Sequence, residues 1–327
     1  MPAKYQRSVL VTGGTNGLGY ECALAIARQH PEYIVIVAAR SDSGGSVERI
    51  QKAIGQTNVQ FMPLDLGDMA KVRSFAADWN TKNLPPIQSL VLNAALQFPG
   101  KAEYSADGFE KTFAISHVGH ALLFSLLRPN LADTARIAIV SSGTHDPAQK
   151  SGLPDARFIS ADQLAHPSPE VAEGPGRQHY TNTKMANVMY GYSLHRRFQA
   201  INKRHGKNWT VNSFDPGLMP GTGLARDARG FVRFVWLSIL PRILPLLRLL
   251  ITPNVHTTKD SGESLARLAI GSDLEGTSGV YFEGRKAIKS SKESYDEKKQ
   301  EELWQWTVDN LAKTGEERRT FSLDDLA

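Results

Sequence analysis

Cysteine is almost absent from this chain, since Cys22 is the only one among 327 residues. A single thiol excludes an internal disulfide, and with it the small secreted folds that disulfides stabilise. So little cysteine is typical of a reducing compartment, and we therefore expect a cytoplasmic location. The first strand pattern begins at about Arg7, which leaves no room before it for a signal peptide. The sequence thus predicts a soluble intracellular protein.

The chain also lacks an uncharged hydrophobic run long enough to span a bilayer. The best candidate, 231–250, has the length but includes three arginines and two prolines. Central arginines cost about 2.5–3.5 kcal/mol each on insertion scales, so we expect no membrane span. We expect the apolar insertion 218–251 to be a lid over a substrate site. Because 231–250 has only basic charges, peripheral association with a membrane surface is an alternative, and a contact between subunits is a third.

Neither sign of charge dominates, and the sequence has no internal repeat or low-complexity tract. Lys and Arg number 38 against 33 Asp and Glu, which gives a net charge of +5. The one dense basic stretch, 196–207, coincides with an expected helix end, where cations are usually solvated and favoured by the helix dipole. We expect no nucleic-acid partner. His117 and His120 lie three apart without nearby carboxylate or thiol partners, so we expect packed histidines and no metal.

Short runs of β-branched residues alternate with longer helical patterns along the chain. This alternation predicts an α/β fold, with a single Rossmann-type doubly wound parallel sheet across residues 1–327. The predicted strands are Ser8–Thr12, Ile34–Ala38, Val59–Leu64, Ser89–Leu92, Arg136–Ser141, Thr210–Phe214 and Gly279–Phe282. The predicted helices are Gly19–Gln29, Ser46–Gly55, Met69–Asn80, Tyr104–Leu127, Tyr180–Arg204 and Ser261–Ile270.

Two further stretches depart from this alternation. Residues 143–179 contain five prolines, which predicts a long substrate loop without helix. Residues 289–327 form a charged C-terminal tail, which we expect to be helical over Lys289–Leu311.

A glycine-rich turn follows the first strand, where Val9–Gly19 reads V-L-V-T-G-G-T-N-G-L-G. Glycines in such a turn let the backbone approach a pyrophosphate, which the N-terminus of the next helix stabilises. The second predicted strand ends at Arg40 and Ser41, where folds that select NAD usually have a carboxylate for the ribose hydroxyl. An arginine there instead accommodates the 2′-phosphate of NADP. The sequence therefore predicts NADP(H), with a plain surface arginine as the alternative.

A tyrosine and a lysine lie four apart at the start of an apolar helix, in Tyr180-Thr181-Asn182-Thr183-Lys184. The two side chains share one helix face, and an adjacent ammonium together with a positively charged nicotinamide favours the phenolate. We therefore expect the pKa of Tyr180 to be lowered toward the range of an acid–base group. Ser142 follows the predicted strand that ends at Ser141, at the sheet edge where ligands bind in such folds.

Together these motifs resemble those of the short-chain dehydrogenase/reductase family over essentially the whole chain. They occur in the family's order: Thr12-Gly13-x-x-x-Gly17-x-Gly19, Asp65-Leu66, Asn93-Ala94-Ala95, a serine, Tyr180-x-x-x-Lys184, Pro216-Gly217 and Thr222. The 38 positions from Ser142 to Tyr180 and the run 216–224 are similar to the retinol dehydrogenase and protochlorophyllide reductase branch.

The resemblance implies roles for individual residues. Ser142 would orient and polarise a carbonyl, Tyr180 would act as acid or base, and Lys184 would hold the ribose and lower the tyrosine pKa. The implied cofactor-binding residues are Gly13, Thr15, Asn16, Gly17, Leu18, Gly19, Arg40, Ser41, Asp65, Leu66, Asn93, Ala94, Tyr180, Lys184, Pro216, Gly217 and Thr222. The candidate substrate contacts are His145, Phe98, Leu218 and Met219.

Two positions depart from the family pattern. Ala95 stands where the family usually has glycine, which is a minor change in turn packing. Ser116 stands where the family has a catalytic asparagine that supports a proton-relay water, so we include it among the candidate catalytic residues. The sequence thus predicts an NADPH-dependent reductase of a bulky apolar ketone or aldehyde, a small-molecule carbonyl or alcohol substrate. Alternatives are a nucleotide-binding regulatory or scaffold protein and a reductase of carbon–carbon double bonds.

Overall fold

A mixed, largely parallel sheet forms the centre of the computed structural model, which describes residues 4–221, 230, 234–250 and 252–326. Its strands are β1 Arg7–Thr12, β2 Tyr33–Ala39, β3 Val59–Pro63, β4 Ile87–Leu92, β5 Leu131–Val140, β6 Thr210–Asp215, β7 Tyr281–Glu283 and β8 Lys286–Ile288. They lie in the order β3-β2-β1-β4-β5-β6-β7-β8. Strands β1 to β7 pair in parallel, and β8 pairs antiparallel with β7.

The central strands are buried on both faces. In β1, Val9, Leu10 and Val11 are fully buried, and they pair with Val35, Ile36 and Val37 of β2. A strand covered on both sides needs apolar residues at successive positions, which explains the continuous hydrophobic runs. The strand order reverses between β1 and β4, and this reversal leaves a crevice at the carboxyl ends, where ligands bind in open α/β sheets.

Helices cover both faces of the sheet. They are α1 Gly17–Gln29, α2 Ser46–Ile54, α3 Met69–Thr81, α4 Lys111–Phe113, α5 Gly119–Leu127, α6 Ala161–Ala165, α7 Pro169–Ala172, α8 Gly176–His205, α9 Leu244–Leu250, α10 Thr258–Ile270, α11 Glu297–Leu311 and α12 Gly315–Ser322. One apolar cluster joins the sheet to α1 and α10, and a larger one joins its other face to α3, α5, α8 and α11. The doubly wound architecture predicted from the sequence is confirmed.

The helix predicted over Tyr104–Leu127 begins later, at Lys111. The Glu110 carboxylate accepts hydrogen bonds from the main-chain N–H groups of Thr112 and Phe113, at 3.0 and 2.8 Å, and so caps the helix start. Tyr104 instead pairs with Glu110 in an isolated bridge. Between α4 and α5 the chain makes a π-helical turn, Ala114–Val118, a form that often marks functional positions.

The proline-rich stretch 143–179 was expected to lack helix, and that expectation is wrong. Pro169 occupies the first turn of α7, where its missing N–H removes no helical hydrogen bond. Pro175 immediately precedes α8, which begins at Gly176 rather than at Tyr180. Proline is excluded from the interior of a helix but not from its first turn, so proline content alone does not predict the absence of helix here.

The remaining differences concern element ends. Strand β5 begins at Leu131, five residues before the predicted start, because Leu131 pairs with Ile87. The tail helix α11 begins at Glu297, where the Asp296 carboxylate caps its first turn, and the charged tail continues into α12. Across the part of the chain that the structure describes, no helix is both long and apolar enough to cross a membrane.

Candidate active site

The turn after β1 presents main chain to the crevice. Gly13 and Gly17 have positive φ angles of 65° and 54°, which side chains rarely adopt. A Cβ on Gly19 would approach the Gly13 carbonyl oxygen to 2.5 Å, so only glycine allows this helix to pack so closely. At Gly17 a Cβ would meet nothing within 4 Å, which leaves open space beside the turn.

The N-terminus of α1 faces that space. Asn16 is its N-cap residue, yet its side chain caps no N–H group, and the first turn contains no acidic residue. Uncapped N–H groups at the positive end of a helix dipole are suited to an anion. Thr15 is buried, its hydroxyl lies 3.4 Å from the Asn16 amide, and Leu18 is buried below the turn. These residues fit the pyrophosphate of a dinucleotide.

A hydrogen-bond network fixes this turn to the end of β4. The Thr12 hydroxyl accepts hydrogen bonds from the main-chain N–H groups of Asn93 and Ala94, at 2.9 and 3.0 Å. The Asn93 amide donates to the Thr12 carbonyl at 2.8 Å. Nε2 of His120, on α5, lies 2.9 Å from the Thr12 hydroxyl. Asn93 thus fixes the glycine turn, and His120 adds a contact that the sequence motifs do not indicate.

The adenosine end of the crevice is lined by more accessible side chains. Arg40 and Ser41 follow β2 and are exposed. The nearest acid in the sequence is Asp42. Its carboxylate already accepts hydrogen bonds from the main-chain N–H groups of Ser46 and Val47 at the start of α2. Asp65 follows β3, where it accepts the Gly67 N–H at 3.1 Å and pairs with Lys71 at 3.4 Å. The next residue after it, Leu66, is buried, and its carbonyl oxygen lies against Gly119.

Ser142, Tyr180 and Lys184 come together at the carboxyl end of β5. Tyr180 and Lys184 lie one turn apart on α8 and both are buried. The Ser142 hydroxyl acts on the Tyr180 phenol closely enough to oppose the rise of its pKa, and Nζ of Lys184 lies 5.4 Å from the centre of the tyrosine ring. The Lys184 ammonium donates to the Val140 carbonyl at 3.1 Å. The structure thus brings the three side chains together at one edge of the sheet.

The pKa of Tyr180 is governed mainly by its burial. Burial raises the pKa of Tyr180 to about 12, and Ser142 opposes this rise. The lowering expected from Lys184 together with a bound nicotinamide stays a prediction. Burial also lowers the pKa of Lys184 to about 8, so its ammonium remains largely charged at pH 7.

Asp215, the last residue of β6, is a buried charge at this site that sequence reasoning missed. Its carboxylate accepts hydrogen bonds from the Gly217 main-chain N–H at 2.9 Å and from the Asn254 amide at 2.8 Å, and it lies against Gly143, where a Cβ would approach it to 2.9 Å. Burial raises the pKa of Asp215 to about 6. Its charge in turn raises the pKa values of Tyr180 and Lys184. Asp215 thus links the serine loop to the loop that follows β6.

The Pro216-Gly217 loop is held from several directions. A Cβ on Gly217 would approach the Asn254 side-chain oxygen to 2.4 Å, and Gly217 has a φ of 75°. Nε2 of His256 lies 2.9 Å from the same oxygen, which orients the Asn254 amide toward Asp215. The Ser261 hydroxyl donates to the Pro216 carbonyl at 2.7 Å. The only signal for this network in the sequence is the position of Asp215 immediately before Pro216.

Ser116 lies in the π-helical turn and is buried. Its hydroxyl has no hydrogen-bond partner in the protein, while its carbonyl lies 3.2 Å from Nδ1 of His120. The ring nitrogens of His117 face the side chains of Asn187 and Thr307, at 3.3 and 3.5 Å. Both histidines are packed in the core, and the described residues contain no cluster suited to a metal ion.

His145 was expected at the substrate pocket, and the structure contradicts this. Its side chain is fully buried, with Nδ1 2.7 Å from the Ser142 carbonyl and Nε2 accepting the Ser291 N–H at 3.0 Å. Both ring nitrogens are therefore occupied by main chain. His145 thus fixes the main chain at Ser142.

The other three candidate substrate residues differ in their burial and contacts. Phe98 is half-buried, and its carbonyl lies against Gly176 at the start of α8, one turn before Tyr180. Leu218 is half-buried, pairs with Val255 and packs against α9. Met219 is buried and packs in the apolar cluster of α1 and α10, so its contact with a substrate stays a prediction. Thr222 lies outside the described residues.

Comparison with known proteins gives matches over most of the chain. Residues 7–151 match the family model for short chain dehydrogenase, and 225–319 match that of the AcuH dehydrogenase domain. Human polyprenol dehydrogenase is 29% identical over 314 residues, which cover 93% of this chain and 84% of the relative. The chloroplastic protochlorophyllide reductase of Daucus carota is 29% identical over 321 residues, covering 91% and 76%. A 3-oxoacyl (acyl-carrier-protein) reductase of Agrobacterium tumefaciens, solved with NADP bound, has the same fold, with a TM-score of 0.60 at 18% identity and coverages of 86% and 93%.

Proposed function

The chain belongs to the short-chain dehydrogenase/reductase family of NAD(P)-binding oxidoreductases, and we propose that it is an NADPH-dependent reductase of bulky, largely apolar ketones or aldehydes. The observation that carries this proposal is the convergence of Ser142, Tyr180 and Lys184 beside an uncapped glycine turn. The turn and the α1 N-terminus would hold the pyrophosphate. When bound, NADPH supplies the hydride.

Tyr180 supplies the proton in this proposal. A phenol whose pKa is about 12 keeps its proton at physiological pH and can donate it to a carbonyl oxygen that gains negative charge. The Ser142 hydroxyl, at the same end of β5, would hold the substrate oxygen beside the phenol. The charged Lys184 ammonium then stabilises the phenolate that remains.

The preference for NADPH rests on the end of β2. Arg40 is exposed there, and the neighbouring Asp42 is engaged with the start of α2. A guanidinium can meet a phosphate through two parallel charge-assisted hydrogen bonds. A ribose 2′-hydroxyl, in contrast, is usually held by a carboxylate at this position. The accessible arginine and the occupied aspartate together support NADPH.

The proposed substrate class rests on the apolar surroundings of the loop after β6. Leu218 packs with Leu244, Leu247 and Val255 directly beyond Pro216-Gly217. A bulky hydrophobic compound would complete this apolar environment and exclude water from the proton donor. The human relative is named for polyprenol, which is consistent with the proposed substrate class.

The test follows NADPH absorbance against a panel of aromatic and terpenoid ketones and aldehydes. We expect turnover on apolar compounds, with an alcohol as the product. NADPH binding without turnover on any of them would favour a regulatory or scaffold protein. A product that gains two hydrogens but keeps its carbonyl, identified by mass and carbonyl absorbance, would instead establish carbon–carbon double-bond reduction.

A further inference from the structure

The segment 234–250 exposes an unusual amount of apolar side chain. Over the described part of the chain, ten large hydrophobic residues are exposed, and six of them lie within these 17 positions. Leu249 and Leu250 are 81% and 70% exposed. The six residues, which we name the outer apolar surface, are Phe234, Leu237, Ile239, Leu246, Leu249 and Leu250.

A lid over the active site does not explain this surface. A lid needs one apolar face, directed toward the site that it covers. Helix α9 already has such a face, since Leu244 and Leu247 are buried against Leu218 and Val255. The exposed leucines of the same helix point away from that contact. Soluble monomers rarely expose a large contiguous apolar patch, and such patches mark an interface with a protein or a membrane. The helix therefore has a second apolar face that lacks an occupant.

The charges around this surface indicate which occupant it would accept. No Asp or Glu occurs from Ala228 to Lys259, whereas this stretch contains four arginines and one lysine. Two of these arginines are fixed beside the exposed leucines. Arg248 Nε donates to the Val255 carbonyl at 2.8 Å, and Arg242 donates to the Ser238 carbonyl.

A second copy of the chain would fit this surface poorly. In a two-fold symmetric contact the same patch meets itself, so arginines would face arginines without an acid to pair with them. A surface of anionic lipid supplies both missing components, because its headgroups attract the arginines and its acyl boundary receives the leucines. We propose that segment 234–250 docks the protein on an anionic membrane surface without spanning it.

Helix α9 would then make two contacts, one with the protein and one with lipid. One face of α9 lies against the loop that follows β6, and the other would rest in the lipid interface. The docking proposal depends only on the outer apolar surface and its charges. It can therefore hold or fail independently of the proposed reductase activity.

The experiment measures sedimentation of the full-length protein with phosphatidylcholine vesicles, with and without phosphatidylserine, in the absence of cofactor and substrate. We expect the wild type to bind the phosphatidylserine vesicles more tightly, and added salt to weaken that binding. The double variant Leu249→Glu/Leu250→Glu should partition on the order of 100-fold more weakly, because two leucines leave the interface. Both residues are exposed in the fold, so the variant should have the circular dichroism and melting temperature of the wild type.

Ile159→Glu is the matched control, since Ile159 is 69% exposed but lies outside the segment. Its vesicle binding should equal that of the wild type. Arg242→Gln should reduce binding to phosphatidylserine vesicles more than to phosphatidylcholine alone. The proposal is overturned if the wild type binds neither vesicle, or if Leu249→Glu/Leu250→Glu binds as the wild type does. A wild-type dimer in light scattering that this double variant converts to monomer would assign the surface to a second copy and also overturn it.

Discussion

The two halves of the sheet's carboxyl edge differ in what they present to a ligand. The nucleotide half, after β1 and β2, presents main chain at Gly13 and Gly17 and an exposed side chain at Arg40. The catalytic half, after β5 and β6, presents ionisable side chains that are buried, among them Lys184 and Asp215. Recognition of a phosphate needs accessible donors, whereas proton transfer needs a group whose pKa the protein can change.

This difference predicts how each half responds to substitution. An exposed side chain acts largely on its own, so its removal should affect one property, such as the choice of cofactor. Buried ionisable groups interact strongly in a medium of low effective dielectric, so the loss of one charge should alter the titration of its neighbours. Four substitutions test this contrast, and their expected effects decrease in the order given.

Tyr180→Phe should have the largest effect, a loss of at least about 100-fold in kcat, because a positioned acid contributes about 10²- to 10⁴-fold. The phenyl ring keeps the packing and removes only the oxygen that carries the proton. Steady-state rates with the best substrate of the carbonyl panel give the measurement. NADPH fluorescence should show unchanged cofactor binding. A variant that retains activity would show that the proton comes from another group.

Arg40→Ala tests the exposed half. We expect wild type to prefer NADPH over NADH by roughly 10- to 100-fold in kcat/KM, since charge-assisted hydrogen bonds contribute about 1.5–3 kcal/mol. The variant should lose most of that preference while its kcat with saturating NADPH changes little. An unchanged ratio in Arg40→Ala, or a wild type that prefers NADH, would disprove the role given to Arg40.

Asp215→Asn tests the coupling within the buried half. At neutral pH the Asp215 carboxylate is mostly ionised, because its pKa is about 6, and its charge raises the pKa of Tyr180. Removal of that charge should lower the Tyr180 pKa, so the fall in reductase rate at high pH should begin at a lower pH. We expect kcat at pH 7 to change by less than about tenfold, since 1.4 kcal/mol corresponds to tenfold. A pH profile that keeps its position would show that Asp215 acts only through hydrogen bonds.

The same substitution has a signed effect on stability. Because the folded-state pKa of Asp215 is raised from 3.8 to about 6, the folded protein holds this proton more tightly than the unfolded chain does. Its stabilising contribution is complete below pH 3.8 and is lost as the pH rises through about 6. The carboxamide of the Asp215→Asn variant does not titrate. In urea unfolding, the free energy of unfolding of the variant relative to wild type should therefore increase by on the order of 2 kcal/mol between about pH 4 and pH 7. Equal pH dependence of the two proteins would contradict the raised pKa.

The contrast between the two halves also separates what the sequence could predict from what it could not. The sheet, the glycine turn and the convergence of Tyr180 with Lys184 follow from local patterns, because alternation, glycine spacing and helical periodicity act over a few residues. The hydrogen-bond partners of Asp215 and His145, in contrast, do not follow from local patterns. Asn254 lies 39 positions from Asp215, and Ser291 lies 146 from His145. The burial that raises the Tyr180 pKa likewise depends on the assembled fold.

Ser116→Ala should have the smallest effect. The buried Ser116 hydroxyl has no hydrogen-bond partner in the protein, so replacing it with a methyl group removes an unsatisfied polar atom. We expect kcat to fall by less than about tenfold and the free energy of unfolding to rise by about 1 kcal/mol or remain unchanged. Urea unfolding and steady-state kinetics measure the two quantities on the same preparation. A loss of kcat as large as that of Tyr180→Phe, without loss of stability, would place the Ser116 hydroxyl in the proton path that the family's asparagine supports.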